Sequence, residues 1–144
     1  KIMQLVIFKI REEFFGVEAS KVLSINDMMT ITKVPNAPSY IKGLINLRGI
    51  IISLFDISIL LNLDHRSYDN VSLNDSSVII LNIEFEEIGI IVDKVDEVVD
   101  IDPNFIKRSI DTKIPFVKGV LELNFKLITV IDINKFVPKD SGVN

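Results

Sequence analysis

Few side chains in this sequence could do catalytic chemistry. His65 is the only histidine, and it stands beside Arg66 in a polar stretch rich in Asn, Asp and Ser. A general base needs a partner within hydrogen-bond reach, so we interpret His65 as a solvated loop residue. The absence of cysteine excludes cysteine nucleophiles, disulfides and thiolate metal sites, and no serine stands in a nucleophile-elbow sequence. We therefore predict that the chain is not an enzyme and has no catalytic residues.

A run of acidic side chains could instead bind a hard cation. Its members are Asp93, Asp96, Glu97, Asp100 and Asp102. Carboxylate oxygens suit calcium or magnesium, but the spacing of an EF-hand is absent and valines are interleaved with the acids. This pattern is typical of a strand with one face in water. We predict neither a bound metal nor a cofactor, and a metal-dependent enzyme for a small ligand is the alternative.

Arg48 is the residue best suited to contact another molecule. The glycines at 43 and 49 lack the Gly-Lys-Ser/Thr ending of a phosphate loop. Gly49 permits a sharp bend, and the segments on both sides are strongly apolar, so the guanidinium is expected at the edge of a rigid core. Arginine is a frequent contact residue at protein interfaces.

The segment around Arg48 has an altered copy further along the chain. Residues 34–57 read VPNAPSYIKGLINLRGIIISLFDI, and residues 114–133 read IPFVKGVLELNFKLITVIDI. A Lys-Gly pair and an Asp-Ile pair recur, whereas Arg48-Gly49 is replaced by Asn124-Phe125. Because Asn46, Arg48 and Gly49 do not recur, we predict that the scaffold does not require them and that they serve function.

Short apolar segments between turn signals predict an all-β fold. The chain is rich in Ile, Val and Leu, and β-branched residues favour strands. The predicted strands are 2–10, 14–17, 21–29, 43–47, 50–56, 78–83, 88–93, 95–101, 117–123 and 127–132. Asp56 is a candidate N-cap for a short helix over 57–63, and 134–137 is a candidate final helical turn.

The repeat also predicts how the domain is organised. We interpret 1–144 as one domain, with an approximate repeat of 1–65 and 76–137. Each half supplies about five short strands, which suggests two small β-barrels packed together. An apolar seam between them would form a groove where a partner could dock.

Composition restricts the class of partner. The 144 residues carry a net charge of −4 and no Lys/Arg cluster, so the basic surface typical of nucleic-acid binding is missing. No apolar run approaches the roughly 20 residues of a membrane-spanning helix, and no signal peptide is visible. We therefore predict no nucleic-acid partner and no direct membrane insertion; SH3-like nucleic-acid binding remains a disfavoured alternative.

The sequence resembles the CheW family, the coupling proteins of bacterial chemotaxis. The motifs VPNAP, KG, NLRG and Asp-Ile match in order and spacing, as do FFGVEASKVLSI upstream and VIILNIEFEEIGIIVDKVDEV downstream. The resemblance covers nearly the whole chain. It implies two intertwined, five-stranded SH3-like β-barrels, with strands exchanged between them, and an adaptor without catalytic activity.

The resemblance also implies partners and a site. The family bridges the cytoplasmic tip of methyl-accepting chemoreceptors to the regulatory domain of the histidine kinase CheA, in cytoplasmic arrays on the inner face of the membrane. The receptor-binding groove would contain Val22, Ser24, Gly43, Asn46, Arg48, Gly49, Gly89, Val95 and Val98. Ser24 departs from many relatives, which carry an acid there, so a charge pair at this position is in doubt.

A larger parent protein is the alternative to a stand-alone adaptor. The same domain occurs as the regulatory domain of the kinase and fused to phosphoryl-receiving domains. An upstream kinase core or a downstream receiver in the native open reading frame would decide for this alternative.

Overall fold

The computed structural model describes residues 1–63, 75–108 and 114–135, and it confirms the predicted all-β fold. The described residues form ten strands and a few short helices. The strands are β1 Met3–Ile10, β2 Glu13–Glu18, β3 Val22–Asp27, β4 Ile41–Leu47, β5 Ile50–Phe55, β6 Ser77–Ile83, β7 Glu86–Val92, β8 Lys94–Ile101, β9 Val117–Leu123 and β10 Lys126–Ile131. Each of the ten predicted strands is present.

The first compact unit contains Lys1–Lys21 and the described part of Val95–Asn144. Its five-stranded sheet has the order β8-β1-β2-β10-β9. β10 runs parallel to β2 and antiparallel to β9. Apolar side chains from four of the strands form the core: Leu5, Ile7, Ile101, Leu121, Ile128 and Val130.

This sheet is strongly curled. The Lys126 ammonium on β10 lies 3.2 Å from the Asp96 carboxylate on β8, although β1 and β2 separate these strands in the sheet. Neighbouring strands lie about 4.8 Å apart, so a flat sheet would hold β8 and β10 about 14 Å apart. Lys126 also lies 4.6 Å from the centre of the Phe14 ring. The ion pair therefore joins two strands that only curvature brings together, whereas the cation–π contact joins the neighbouring strands β2 and β10.

The second compact unit contains Val22–Lys94. The strand order of its sheet is β3-β6-β7-β5-β4, and β5 runs parallel to β7. The core of this unit contains Ile45, Ile52, Leu54, Val78, Ile80 and Ile91.

Each sheet combines strands from both sequence repeats. β1 and β2 lie in the sheet with β8, β9 and β10, whereas β6 and β7 lie in the sheet with β3, β4 and β5. The compact units therefore do not coincide with the repeats 1–65 and 76–137.

The backbone contacts of the two repeats correspond closely. Thr32 and Leu44 exchange two backbone hydrogen bonds, and Lys107 and Val120 do the same. The Asp56 N–H donates to the Tyr40 carbonyl just as the Asp132 N–H donates to that of Phe116. The repeat seen in the sequence is thus a repeat of backbone geometry.

Asp56 is the N-cap that the sequence predicts. Its carboxylate accepts a hydrogen bond from the Ser58 N–H, which satisfies one of the free donors of a helix start. The helix, α1, spans Ile57–Leu60 and is shorter than the predicted 57–63. Asn62 follows in a left-handed conformation, with φ of 59°, and such a residue ends a helix.

A 3-10 helix over Ile133–Lys135 stands where the final helical turn was predicted. The rest of that turn, together with His65 and the residues after Pro138, lies outside the described residues.

Gly43 is required by a close backbone approach. A Cβ at Gly43 would lie 2.5 Å from the Thr32 carbonyl oxygen, and the φ of Gly43 is +152°. A Cβ at Gly119 would meet the Lys107 carbonyl oxygen at the same distance. This shared constraint explains why the glycine of the Lys-Gly pair recurs.

Gly43→Ala is expected to destabilise the fold by about 2–4 kcal/mol, because the new methyl group would push Thr32 out of its bridge with Leu44. Gly49→Ala is the matched control. Gly49 has no atom within 4 Å of an added Cβ, so only its positive φ is strained, at about 1 kcal/mol. Urea unfolding followed by circular dichroism measures both changes, and equal losses would contradict the role given to the Thr32 contact.

Candidate functional site

Arg48 and Gly49 form a two-residue turn at the tip of the β4–β5 hairpin. The strands pair up to Leu47 and Ile50. The φ angles of Arg48 and Gly49 are 55° and 86°. Positive φ at both central residues is the mark of a type I′ turn, whose twist matches that of the strands it connects. The predicted sharp bend is therefore a tight hairpin turn.

Asn46 holds this turn closed. Its side-chain oxygen accepts a hydrogen bond from the Gly49 N–H at 2.9 Å. Asn46 lies opposite Ile51 in the hairpin register, so the bond crosses the end of the hairpin. Asn46 is a predicted site residue because the second sequence repeat lacks it. In the structure its role is local, within the turn.

The Arg48 guanidinium is available for an external partner. Arg48 is exposed, and the described residues place no ion pair or hydrogen bond on its side chain. Ile50 and Ile51 are exposed beside it, at 51% and 61%. Further along the hairpin, Ile45 and Ile52 are buried in the core. The hairpin tip thus presents the Arg48 guanidinium beside exposed apolar side chains, and the rest of the hairpin is anchored in the core.

The β9–β10 hairpin has the same turn with different chemistry. Asn124 and Phe125 have φ angles of 52° and 67°, and Glu122 takes the position of Asn46, opposite Leu127. Phe125 is completely exposed and Leu127 is 67% exposed. The turn conformation is therefore common to both repeats, so Gly49 has a conformational reason to be present, whereas the guanidinium is confined to the first hairpin.

Two glycines of the predicted site are buried. Gly43 presses on Thr32, as described above, and an added Cβ on Gly89 would meet the side chains of Leu54 and Val78 at 3.2 and 3.3 Å. Gly16 occupies the corresponding place in the first unit, where an added Cβ would meet the side chains of Ile128, Ile7 and Leu5 at 3.3 Å. The packing of each sheet accounts for these glycines.

Val22 and Ser24 lie half-buried on β3. The Ser24 hydroxyl accepts a hydrogen bond from the Asn26 amide at 3.0 Å. The pairing with β6 shifts between Val22 and Ser24, and Leu23 is 51% exposed there. Ser24 thus has a neutral partner on its own strand.

The remaining predicted residues, Val95 and Val98, lie on β8 in the first compact unit. Val95 is half-buried and Val98 is 53% exposed. The structure brings Asn46, Arg48 and Gly49 together at one hairpin tip, while a groove shared by all nine residues stays a prediction.

Two members of the acidic run, one on β8 and one just after it, have structural partners. Asp96 pairs with Lys126, and the Asp102 carboxylate accepts from the Asn104 N–H to cap a 3-10 helix. In residues 1–63, 75–108 and 114–135, no three His, Asp or Glu side chains are grouped so as to hold a metal ion. No helix in the same residues is both long enough and apolar enough to cross a membrane.

Exposed apolar side chains near the hairpin tips are absent from the predicted site, namely Ile50, Ile51, Phe85, Phe125 and Leu127. Phe125 could have been recognised from the sequence as an unusual turn residue. A type I′ turn favours Asn followed by Gly, so a phenylalanine in the second turn position is unusual.

Comparison with known proteins agrees with the predicted family and with the fold. The family model described as the CheW-like domain matches residues 4–141. The chain belongs to this family. CheW-like proteins are non-catalytic scaffolds of chemotaxis, in agreement with the prediction that the chain is not an enzyme.

Individual relatives lead to the same family assignment. The chain is 27% identical to the chemotaxis protein CheW of Klebsiella aerogenes, covering 95% of this chain and 82% of that protein. It is 25% identical to the chemotaxis protein CheW of Bacillus subtilis, covering 96% and 89%. The crystal structure of the scaffolding protein TtCheW from Thermoanaerobacter tengcongensis matches with a TM-score of 0.81 and 34% identity, covering 91% of this chain and 84% of that one.

Phe125→Gly is expected to stabilise the fold by roughly 0.5–1 kcal/mol. Glycine removes the cost of a left-handed conformation for a bulky residue, which outweighs the greater freedom of glycine in the unfolded chain. Phe125 loses no packing because it is fully exposed. Leu127→Ala, on the same hairpin, should change the stability by less than about 0.5 kcal/mol. Urea unfolding tests both variants, and a less stable Phe125→Gly protein would refute the assignment of strain to this turn.

Proposed function

We propose that the chain is a chemotaxis adaptor that couples the cytoplasmic tips of chemoreceptors to the histidine kinase CheA. The observation that carries this proposal is the match to the CheW-like domain over residues 4–141. Scaffold proteins act by binding, and the described surface offers an available guanidinium on a fixed turn. The cellular place that follows is the cytoplasm, at receptor arrays on the inner face of the membrane.

Arg48 orients the receptor in this proposal. The receptor tip is a helical hairpin, and helical tips present backbone carbonyls and polar side chains beside apolar ones. A guanidinium presents five N–H donors in a rigid fork, which suits such acceptors. The exposed Ile50 and Ile51 provide apolar contact area next to it. The hairpin tip thus combines orientation by hydrogen bonds with burial of apolar surface.

The kinase contacts a different surface through its regulatory domain. An adaptor has to bind both partners at once, so the two surfaces cannot overlap. The sequence carries a net charge of −4, and acidic proteins of this kind bind other proteins without attracting nucleic acid. Simultaneous binding is therefore the property that distinguishes the proposed coupling from simple receptor binding.

Arg48→Ala is expected to leave the fold intact and to weaken binding of a receptor hairpin-tip fragment by about 1–4 kcal/mol, as for an interface hot spot. Arg48→Asn should weaken it equally, because asparagine tolerates the positive φ of this turn yet lacks the guanidinium. Isothermal titration with the fragment measures both affinities.

Lys42→Ala is the matched control, since Lys42 is an exposed cation on the same hairpin. Its affinity should stay close to that of the parent protein. If both Arg48 variants bind the fragment as tightly as the parent and still activate the kinase, the role proposed for Arg48 is wrong.

A further inference from the structure

The two hairpin tips differ in one contact that bears on Arg48. In the β4–β5 hairpin the Asn46 side-chain oxygen accepts from the Gly49 N–H. In the β9–β10 hairpin Glu122 stands at the same register position, and the structure places no hydrogen bond between its side chain and the Phe125 N–H. We call this side-chain hydrogen bond to the turn backbone the turn lock. Of the two hairpins, only the one that carries Arg48 has it.

The Asn46 bond favours a backbone conformation that arginine adopts less readily than some other residues. The Arg48 φ of 55° lies in the left-handed region, which asparagine, aspartate and glycine adopt more readily than arginine does. Gly49 tolerates its own φ of 86° without strain. Since nothing lies within 4 Å of a Cβ at Gly49, side-chain packing does not fix the turn there. In addition to the backbone pairing of Leu47 with Ile50, the Asn46 bond ties Gly49 back to β4.

We infer that Asn46 is a positioning residue that presets the conformation of Arg48 for its partner. This inference rests on the proposed function of Arg48. Without the bond the turn populates other conformations, and the apparent affinity falls in proportion to the competent fraction. Asn46 acts through Arg48 and needs no contact of its own with the partner.

The first test is structural and needs no partner. In Asn46→Ala, the temperature coefficient of the Gly49 amide shift should change to that of a solvent-bonded N–H. The three-bond HN–Hα coupling of Arg48, which reports its φ, should move toward an average over several conformations. Asn46→Asp retains an acceptor oxygen and should preserve both values. Glu122→Ala, the matched change in the other hairpin, should leave both unchanged.

The second test is a double-mutant cycle with a receptor hairpin-tip fragment as the probe. Asn46→Ala should weaken binding about two- to tenfold, which corresponds to the loss of one ordinary hydrogen bond. Glu122→Ala should have no effect. In an Arg48→Asn background, Asn46→Ala should cause no further loss, because the guanidinium that it positions has been removed.

The turn lock, the positioning role of Asn46 and the proposed function of Arg48 would each be contradicted by a different result. An unchanged Gly49 amide in Asn46→Ala would overturn the turn lock. A loss of affinity that persists in the Arg48→Asn background would show that Asn46 touches the partner directly, and would overturn the positioning role. If Arg48→Asn alone binds the fragment like the parent protein, the proposed function of Arg48 fails, while the Gly49 amide still reports whether the lock exists.

Discussion

Parallel pairing between strands far apart in the chain is the constraint on which the rest of the structure depends. β5 pairs with β7, and β10 pairs with β2, so each sheet is completed by a hairpin from the other sequence repeat. β7 is buried on both faces from Ile88 to Val92, and β1 from Leu5 to Phe8. Strands buried on both faces account for the continuous apolar segments in the sequence. Neither repeat could build its sheet alone.

The repeated backbone provides the same positions twice and uses them differently. Gly43 and Gly119 allow the same close approach to a neighbouring segment, while Asp56 and Asp132 each accept a hydrogen bond from the N–H two residues ahead. The two hairpin turns share left-handed conformations. Against this common background, one tip carries a guanidinium and a side-chain lock, and the other carries an exposed Phe125. Arg48, the predicted contact residue, therefore lies at a position where the fold tolerates variation.

Much of the fold could be predicted from local patterns, because alternation and turn residues identify strands without reference to their partners. All ten strands and the Asp56 cap were found in this way. The exchange of hairpins between sheets could not be derived from these patterns, since periodicity carries no information about which distant strands pair. The resemblance to CheW supplied it instead. At the site, absence from the repeat selected Asn46, Arg48 and Gly49, which lie together at one hairpin tip, but their separate conformational roles depend on φ angles and one hydrogen bond. Those features appear only in the folded chain.

The proposed function requires one chain to hold receptor and kinase together. Amide NMR of the labelled chain, titrated first with a receptor hairpin-tip fragment and then with a CheA regulatory domain, tests it most directly. The proposed coupling predicts that the receptor fragment shifts the amides of the Arg48 hairpin, and that the kinase domain shifts a separate set without reversing the first. Displacement of one fragment by the other, or the absence of shifts with either, would contradict it.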